Sequence, residues 1–226
     1  MFKENLAITE MLTAIKNDKD FMHFKYSNEF ILKWSCFINS IDESIRYYIE
    51  SKDENCQAYL YEMPIGNHKL NFKFFIKCID IFYRDYPNLV YEILFDNINN
   101  ELYYENCKCY YTEIPKNEIK STNMYSNLNQ VYVIPFPQKE YMFMVIDGNH
   151  RVCGQIYEGK SKIKGLYIDF LFAAKALETP LQMCAYFINE DYWKIKYNMG
   201  KVNDSDIWKS TNIVNQKRYL KYLPLK

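Results

Sequence analysis

Glycine is scarce in this 226-residue chain, and its placement is uneven. Of the six, at 66, 148, 154, 159, 165 and 200, four lie between 148 and 165. A chain this short of glycine spends it where the backbone needs positive φ or a close approach to the main chain. Charge of one sign is also lacking: 28 basic residues balance 28 acidic ones. No global field therefore draws the chain to nucleic acid or to a membrane surface. Long apolar runs are missing too. The most apolar stretch, 165–176, is broken by Asp169 and Lys175 and is too short to span a bilayer. The start, Met-Phe-Lys-Glu-Asn, lacks the apolar stretch of a signal peptide. Seven cysteines, an odd number at irregular spacing, read as reduced thiols, so a cytoplasmic protein is expected. Cys107-Lys-Cys109 has no second Cys/His pair at zinc spacing, and no metal site of protein ligands is expected. There is no Walker loop, no Gly-x-Ser-x-Gly and no His-Glu-x-x-His.

What is present is ample apolar content. Apolar residues make up 49% of the chain, which suits a globular protein with a real core, as one large domain or two small ones. Tyr, Phe, Asn, Lys and Ile are abundant, the bias of an AT-rich coding sequence. The 22 tyrosines therefore read as core and boundary residues rather than a stacking surface. Charge is unevenly spread. Residues 194–226 hold eight basic and two acidic side chains. Such a segment suits DNA or an acidic partner, and equally a solvated face.

Apolar spacing predicts helices over the first hundred residues. Leu6, Ile8, Met11, Leu12 and Ile15 mark one. Phe30, Trp34, Phe37, Ile38, Ile41, Ile45 and Tyr48 mark a second, with Ser27 as its N-cap. Phe72, Phe75, Ile76, Ile79, Phe82 and Tyr83 mark a third, stopped near Pro87, and 87–95 can open a fourth. The character changes near Asn99. Strands are expected at 107–114, 131–134 and 142–146, the last two as a hairpin. A helix follows from Asn149 to Tyr157, stopped by Gly159, then a strand at 166–169. Residues 170–193 read as helical with a break at Thr179-Pro180. The expected organisation is α+β: a helical region over 1–100, a small mixed sheet with helices over 101–193, and a basic segment over 194–226.

The chemistry converges on Val145-Ile146-Asp147-Gly148-Asn149-His150-Arg151-Val152. An apolar strand ends in Asp-Gly and polar residues open a helix, whose free N–H groups suit an anion such as phosphate. Asp147 can cap the helix or hold a metal–nucleotide complex. Gly148 serves backbone geometry under either reading. Asn149 can donate to a phosphate or simply sit at the helix start. His150 can contact phosphate, act as general acid or base, or be structural. Arg151 suits bidentate phosphate binding, or an ion pair with a nearby carboxylate. Gln155, one turn later, can extend the site. Glu113 and Glu118 are candidate bases by location, or plain surface carboxylates.

These residues resemble the signature of the ParB/sulfiredoxin-like superfamily, in which a strand, an Asp-Gly-x-His-Arg turn and a helix face a nucleotide phosphate. Glu113-Ile-Pro-Lys-Asn-Glu-Ile119 resembles its first strand and Ile-Pro turn. Lys162-Ile-Lys-Gly-Leu-Tyr-Ile168 resembles the strand after the motif helix. The likeness covers residues 107–170. The family's helix and glycine turn before the hairpin have no counterpart in 120–130. Sulfiredoxin itself needs a nucleophilic cysteine before His-Arg. Asn149 stands there, and Cys153, one turn inward, reads as a buried thiol. The resemblance implies binding of a nucleoside triphosphate with Mg²⁺ through Asp147, Gly148, Asn149, His150, Arg151 and Gln155. It also implies hydrolysis, phosphoryl transfer or DNA cleavage, with His150 and Glu113 as catalytic candidates. The alternative is a non-catalytic DNA-binding or regulatory module of the same fold, using 194–226 against DNA phosphates. A third reading gives the function to the helical half, as a cap, a homodimer surface or a partner-binding region.

Overall fold

A computed structural model describes residues 3–41, 57–65, 68–119, 130–138 and 140–215. In chain order the elements are α1 (Lys3–Lys16), α2 (Ser27–Ser40), β1 (Ala58–Ile65), β2 (His68–Phe75) and α3 (Ile76–Asp85). Then come β3 (Tyr91–Ile98), β4 (Glu101–Tyr104), β5 (Cys107–Tyr110), β6 (Tyr132–Pro135) and β7 (Tyr141–Asp147). Last are α4 (Asn149–Tyr157), β8 (Lys162–Tyr167), α5 (Phe170–Lys175), α6 (Pro180–Asn198) and α7 (Asp204–Ser210). The chain divides into two compact units, 1–74 with 177–226, and 75–176. The boundary drawn near residue 100 from sequence lies at the β3–β4 turn, inside the second of these.

The first unit is built around α6. Its residues from Pro180 to Asn189 are all buried, so it is the core of this unit and not a surface helix. Thr179 caps it, its hydroxyl oxygen accepting from Gln182 N–H at 3.1 Å, and Pro180 takes the first turn where no N–H is needed. Ala7, Ile8, Met11, Leu12 and Ile15 of α1, and Phe30, Trp34 and Ile38 of α2, present the helical stripe that packs here. β1 and β2 form a two-stranded sheet, and Phe72 and Phe74 meet Tyr186 edge-on. Asp191, fully buried on α6, accepts from Asn212 N–H (2.6 Å), Asn212 Nδ2 (2.8 Å) and Ile213 N–H (3.1 Å).

The second unit is a closed barrel of six strands in the order β3-β4-β5-β7-β6-β8. Four pairs are antiparallel, while β5–β7 and β6–β8 are parallel. Phe95, Leu102, Cys109, Val133, Val145 and Ile163 fill the inside, joined by Val152 and Ile156 of α4. Gly165 sits where β8 crosses this filling: a Cβ there would lie 2.9 Å from Val133 Cγ2 and 3.2 Å from Phe95 Cε2. Closing the barrel leaves no free sheet edge.

Several expectations are corrected. The first hundred residues are not wholly helical. Residues 68–75 form β2, because Leu70, Phe72 and Phe74 alternate with polar neighbours at the strand period of two. The helix expected from Phe72 starts only at Ile76. Residues 91–98 form β3 rather than a helix after Pro87; Ile93 and Phe95 face the barrel filling. The signal for this strand was Asn99-Asn100. Both residues have positive φ (53° and 66°), as a two-residue hairpin turn requires. Ser27 is the first residue of α2, not its cap, and α2 ends at Ser40, with 42–56 outside the described residues. The mixed sheet is present, and it closes into a barrel, which the sequence reading does not foresee. The β6–β7 hairpin, α4 with Gly159 at φ 74°, and the break at Thr179-Pro180 stand as expected.

Candidate functional site

β7 ends at Asp147 on a sheet register that shifts between Tyr132 and Val133 of its partner β6. Gly148 then takes φ 92°, ψ 16°, the left-handed conformation that turns the chain from strand into α4. Space as well as φ demands glycine. A Cβ at Gly148 would lie 3.0 Å from Val131 Cα, 3.0 Å from Arg151 Nη2 and 3.1 Å from the Gln130 carbonyl oxygen. α4 opens with Val152 N–H donating to the Gly148 carbonyl at 2.9 Å.

The side chains of the turn are committed in different ways. Asn149 Oδ1 accepts from Thr112 N–H at 2.7 Å, which ties the helix start to the chain leaving β5. Arg151 Nη2 donates to Asp147 Oδ2 at 3.1 Å and to the Gln130 carbonyl oxygen. This ion pair is sheltered: the side chains keep 15% (Arg151) and 22% (Asp147) of their exposure, so water screens it less than a surface pair. Arg151 Nε is buried and makes no hydrogen bond among the described residues. His150 is half-buried on the same turn. Gln155 Nε2 donates to the Arg151 carbonyl at 3.3 Å, within the helix.

Beyond the motif, the structure brings in four residues that sequence reasoning missed. The Gln130 side chain donates to Tyr83 Oη (3.2 Å) and accepts from Tyr132 Oη (3.1 Å). Tyr132 Oη shares its one hydrogen between Gln130 and Asp80 Oδ1, the nearer at 2.8 Å. Burial pushes the Asp80 carboxyl above its ordinary value and the nearby Asp147 charge adds to this, while the Tyr132 hydrogen bond opposes them. Burial and Asp80 together push the Tyr132 phenol well up, so it stays a donor. The only sequence hint was Asp80 and Tyr83 at i, i+3 spacing among the apolar residues of α3.

Glu113 is not part of this cluster. It is exposed on the segment after β5, on the side of α4 that carries Cys153 and Tyr157, whereas Arg151 reaches the other way to Gln130. Glu118 is exposed in the 3-10 turn Lys116–Glu118. The residues expected as a strand at 111–114 have no regular structure. Cys153 is buried, accepts from Ile114 N–H at 3.3 Å and lies 3.6 Å from the Thr112 carbonyl. Burial raises its thiol, so it is a packed, neutral group. Cys109 faces the barrel interior.

Among the described residues no group of three or more His, Cys, Asp or Glu side chains could hold a metal ion, and no helix is long and apolar enough to cross a membrane. In the basic segment, Lys194 pairs with Glu190 (2.9 Å), and Lys196 pairs with Asp18 (3.0 Å) and Asp20 (2.9 Å). Residues 216–226, with four of its basic side chains, lie outside the described residues. Comparison with protein-family models, curated proteins and solved structures gives no match for this chain.

Proposed function

We propose that the Asp147–Arg151 turn binds the phosphates of a nucleoside triphosphate, in the manner of the ParB/sulfiredoxin-like proteins its motif resembles. The observation that carries this reading is the state of Arg151. A sheltered guanidinium beside a glycine-gated helix start holds a buried Nε–H with no acceptor among the described residues. A buried donor without an acceptor calls for an explanation, and a phosphate oxygen supplies one. The Asp147 carboxylate now occupies one edge of the fork. Asp147, with Asp80 close enough to feel its charge, also suits Mg²⁺, which takes one or two carboxylates together with phosphate oxygens. Bound there, Mg²⁺ would neutralise phosphate charge. Asp147 would hold it, and Arg151 would orient the phosphates from the helix side. His150 is the group on this turn able to carry a proton if the bound nucleotide is hydrolysed, transfers a phosphoryl group, or if the site cleaves DNA. Asn149 acts here by fixing the helix start through Thr112 rather than by reaching the ligand. Gln155 supports the Arg151 carbonyl.

A second reading is favoured by the same ion pair: Arg151 staples Gln130 to β7 and α4, and the unit is a non-catalytic DNA-binding or regulatory module. Calorimetric titration with ATP, CTP and GTP, with and without Mg²⁺, separates the two. The first reading expects Mg²⁺-dependent binding of at least one nucleotide that weakens by about 100-fold in Arg151→Ala, the scale of a buried charge-assisted contact. Stable, folded wild-type protein that binds none of them contradicts it.

A further inference from the structure

At β4, β5 and the start of β7 the barrel carries a cavity of about 310 Å³. Its walls include Asn100, Lys108, Tyr110, Tyr111, Glu113 and Tyr141. A second cavity of about 100 Å³ adjoins it and shares Asn100, Tyr111 and Glu113. The walls are held in place. Tyr111 Oη donates to the Asn100 carbonyl at 2.6 Å, and Tyr110 meets Tyr141 edge-on at 5.6 Å.

The charges in this cavity do not cancel. Lys108 is already compensated, with Nζ 2.9 Å from Glu101 Oε1. Glu113, at the seam of both cavities, makes no hydrogen bond or ion pair among the described residues. One carboxylate is therefore left facing tyrosine rings. One ring of this wall already meets a cation: Lys108 Nζ lies 5.9 Å from the Tyr141 ring centre, and 5.7 Å from that of Tyr103 outside the cavity.

We infer that the tyrosine-walled cavity around Glu113 binds a guanidinium-bearing organic cation, with Glu113 taking the guanidinium edge and the tyrosines its flat face. A guanidinium is weakly hydrated, stacks on aromatic rings and meets a carboxylate with two parallel N–H donors. A phosphate-bearing ligand is disfavoured here by Glu101 and Glu113. This site is independent of the nucleotide reading and uses none of its residues.

Titration of the full chain with argininamide, followed by amide NMR, tests it. Citrullinamide, isosteric but with an uncharged ureido group in place of the guanidinium, and guanosine serve as parallel probes. The expected result is saturable binding of argininamide that shifts the amides of Asn100, Tyr111 and Glu113 and leaves 147–151 in place. Citrullinamide should bind about tenfold more weakly, and Glu113→Gln should lose about tenfold for argininamide, the scale of one charge-assisted pair. Because Glu113 is exposed, that variant keeps the fold, and Tyr141→Leu provides a second loss of affinity through the ring face. Equal affinity for citrullinamide, undiminished binding in Glu113→Gln, or binding of guanosine alone would overturn the assignment.

Discussion

Gly148→Ala is expected to lower unfolding stability by about 2–5 kcal/mol, combining left-handed strain of about 1–2 with overpacking of about 1–3. The strain arises because φ 92° is open to glycine and costly for a residue with a Cβ. The overpacking arises because two of the three nearest atoms, Val131 Cα and the Gln130 oxygen, are backbone and cannot swing away. The third, Arg151 Nη2, would be driven from its seat beside Asp147. Urea unfolding measures the loss. Gly148→Asn divides it, since asparagine tolerates left-handed φ better than alanine yet brings the same Cβ. Partial recovery in Gly148→Asn gives the share due to φ. A Gly148→Ala protein as stable as the wild type would show that the turn can relax, and that the tight junction between β7 and α4 is not required.

Asp191→Ala should cost about 3–5 kcal/mol, because it strands several buried donors at once. Asn212 N–H, Asn212 Nδ2 and Ile213 N–H all point at this one carboxylate, in a fully buried place. Denaturant melts check the cost, with proteolysis near 211–215 as a local readout. The carboxyl also has a pH signature. Burial, aided by the Glu190 charge, raises it well above the ordinary aspartate value of 3.8, against the pull of the backbone N–H groups. The unfolded chain gives up this proton near pH 3.8 and the folded chain only at higher pH. The stability due to Asp191 therefore falls as pH rises from that value until the folded group ionises. Asp191→Asn removes this fall.

Much of the turn was legible in the sequence because its signals are local. An apolar run ending in Asp147-Gly148, followed by polar residues and then Gly159, spells strand, left-handed turn, helix and stop within nineteen residues. The barrel was not legible, since its closure depends on pairing Tyr91 with Tyr167, far apart in the chain. β2 was hidden because its alternation runs directly into α3, so Phe72 and Phe75 fall at helical spacing by accident. The wider site was hidden for the same reason as the barrel. Asp80 reaches Tyr132 across 52 positions, and nothing local in α3 marks its carboxylate as facing a strand. Glu113 was assigned by its nearness in sequence to the family-like turn. It lies on the opposite side of α4 because the chain leaving β5 is tied down through Thr112 and Ile114 to Asn149 and Cys153.

The phosphate site turns on the Arg151 Nε–H, which has no acceptor among the described residues, and that hydrogen can be watched directly. In a sample labelled at arginine nitrogen, the Arg151 side-chain Nε–H signal is identified by its loss in Arg151→Lys, then followed while Mg²⁺ and nucleotide are added. Acceptance by a phosphate oxygen predicts a downfield shift and slower exchange with water that saturate together with the binding isotherm. A signal that stays in place through saturating nucleotide would contradict the phosphate site and leave Arg151 as an internal clamp.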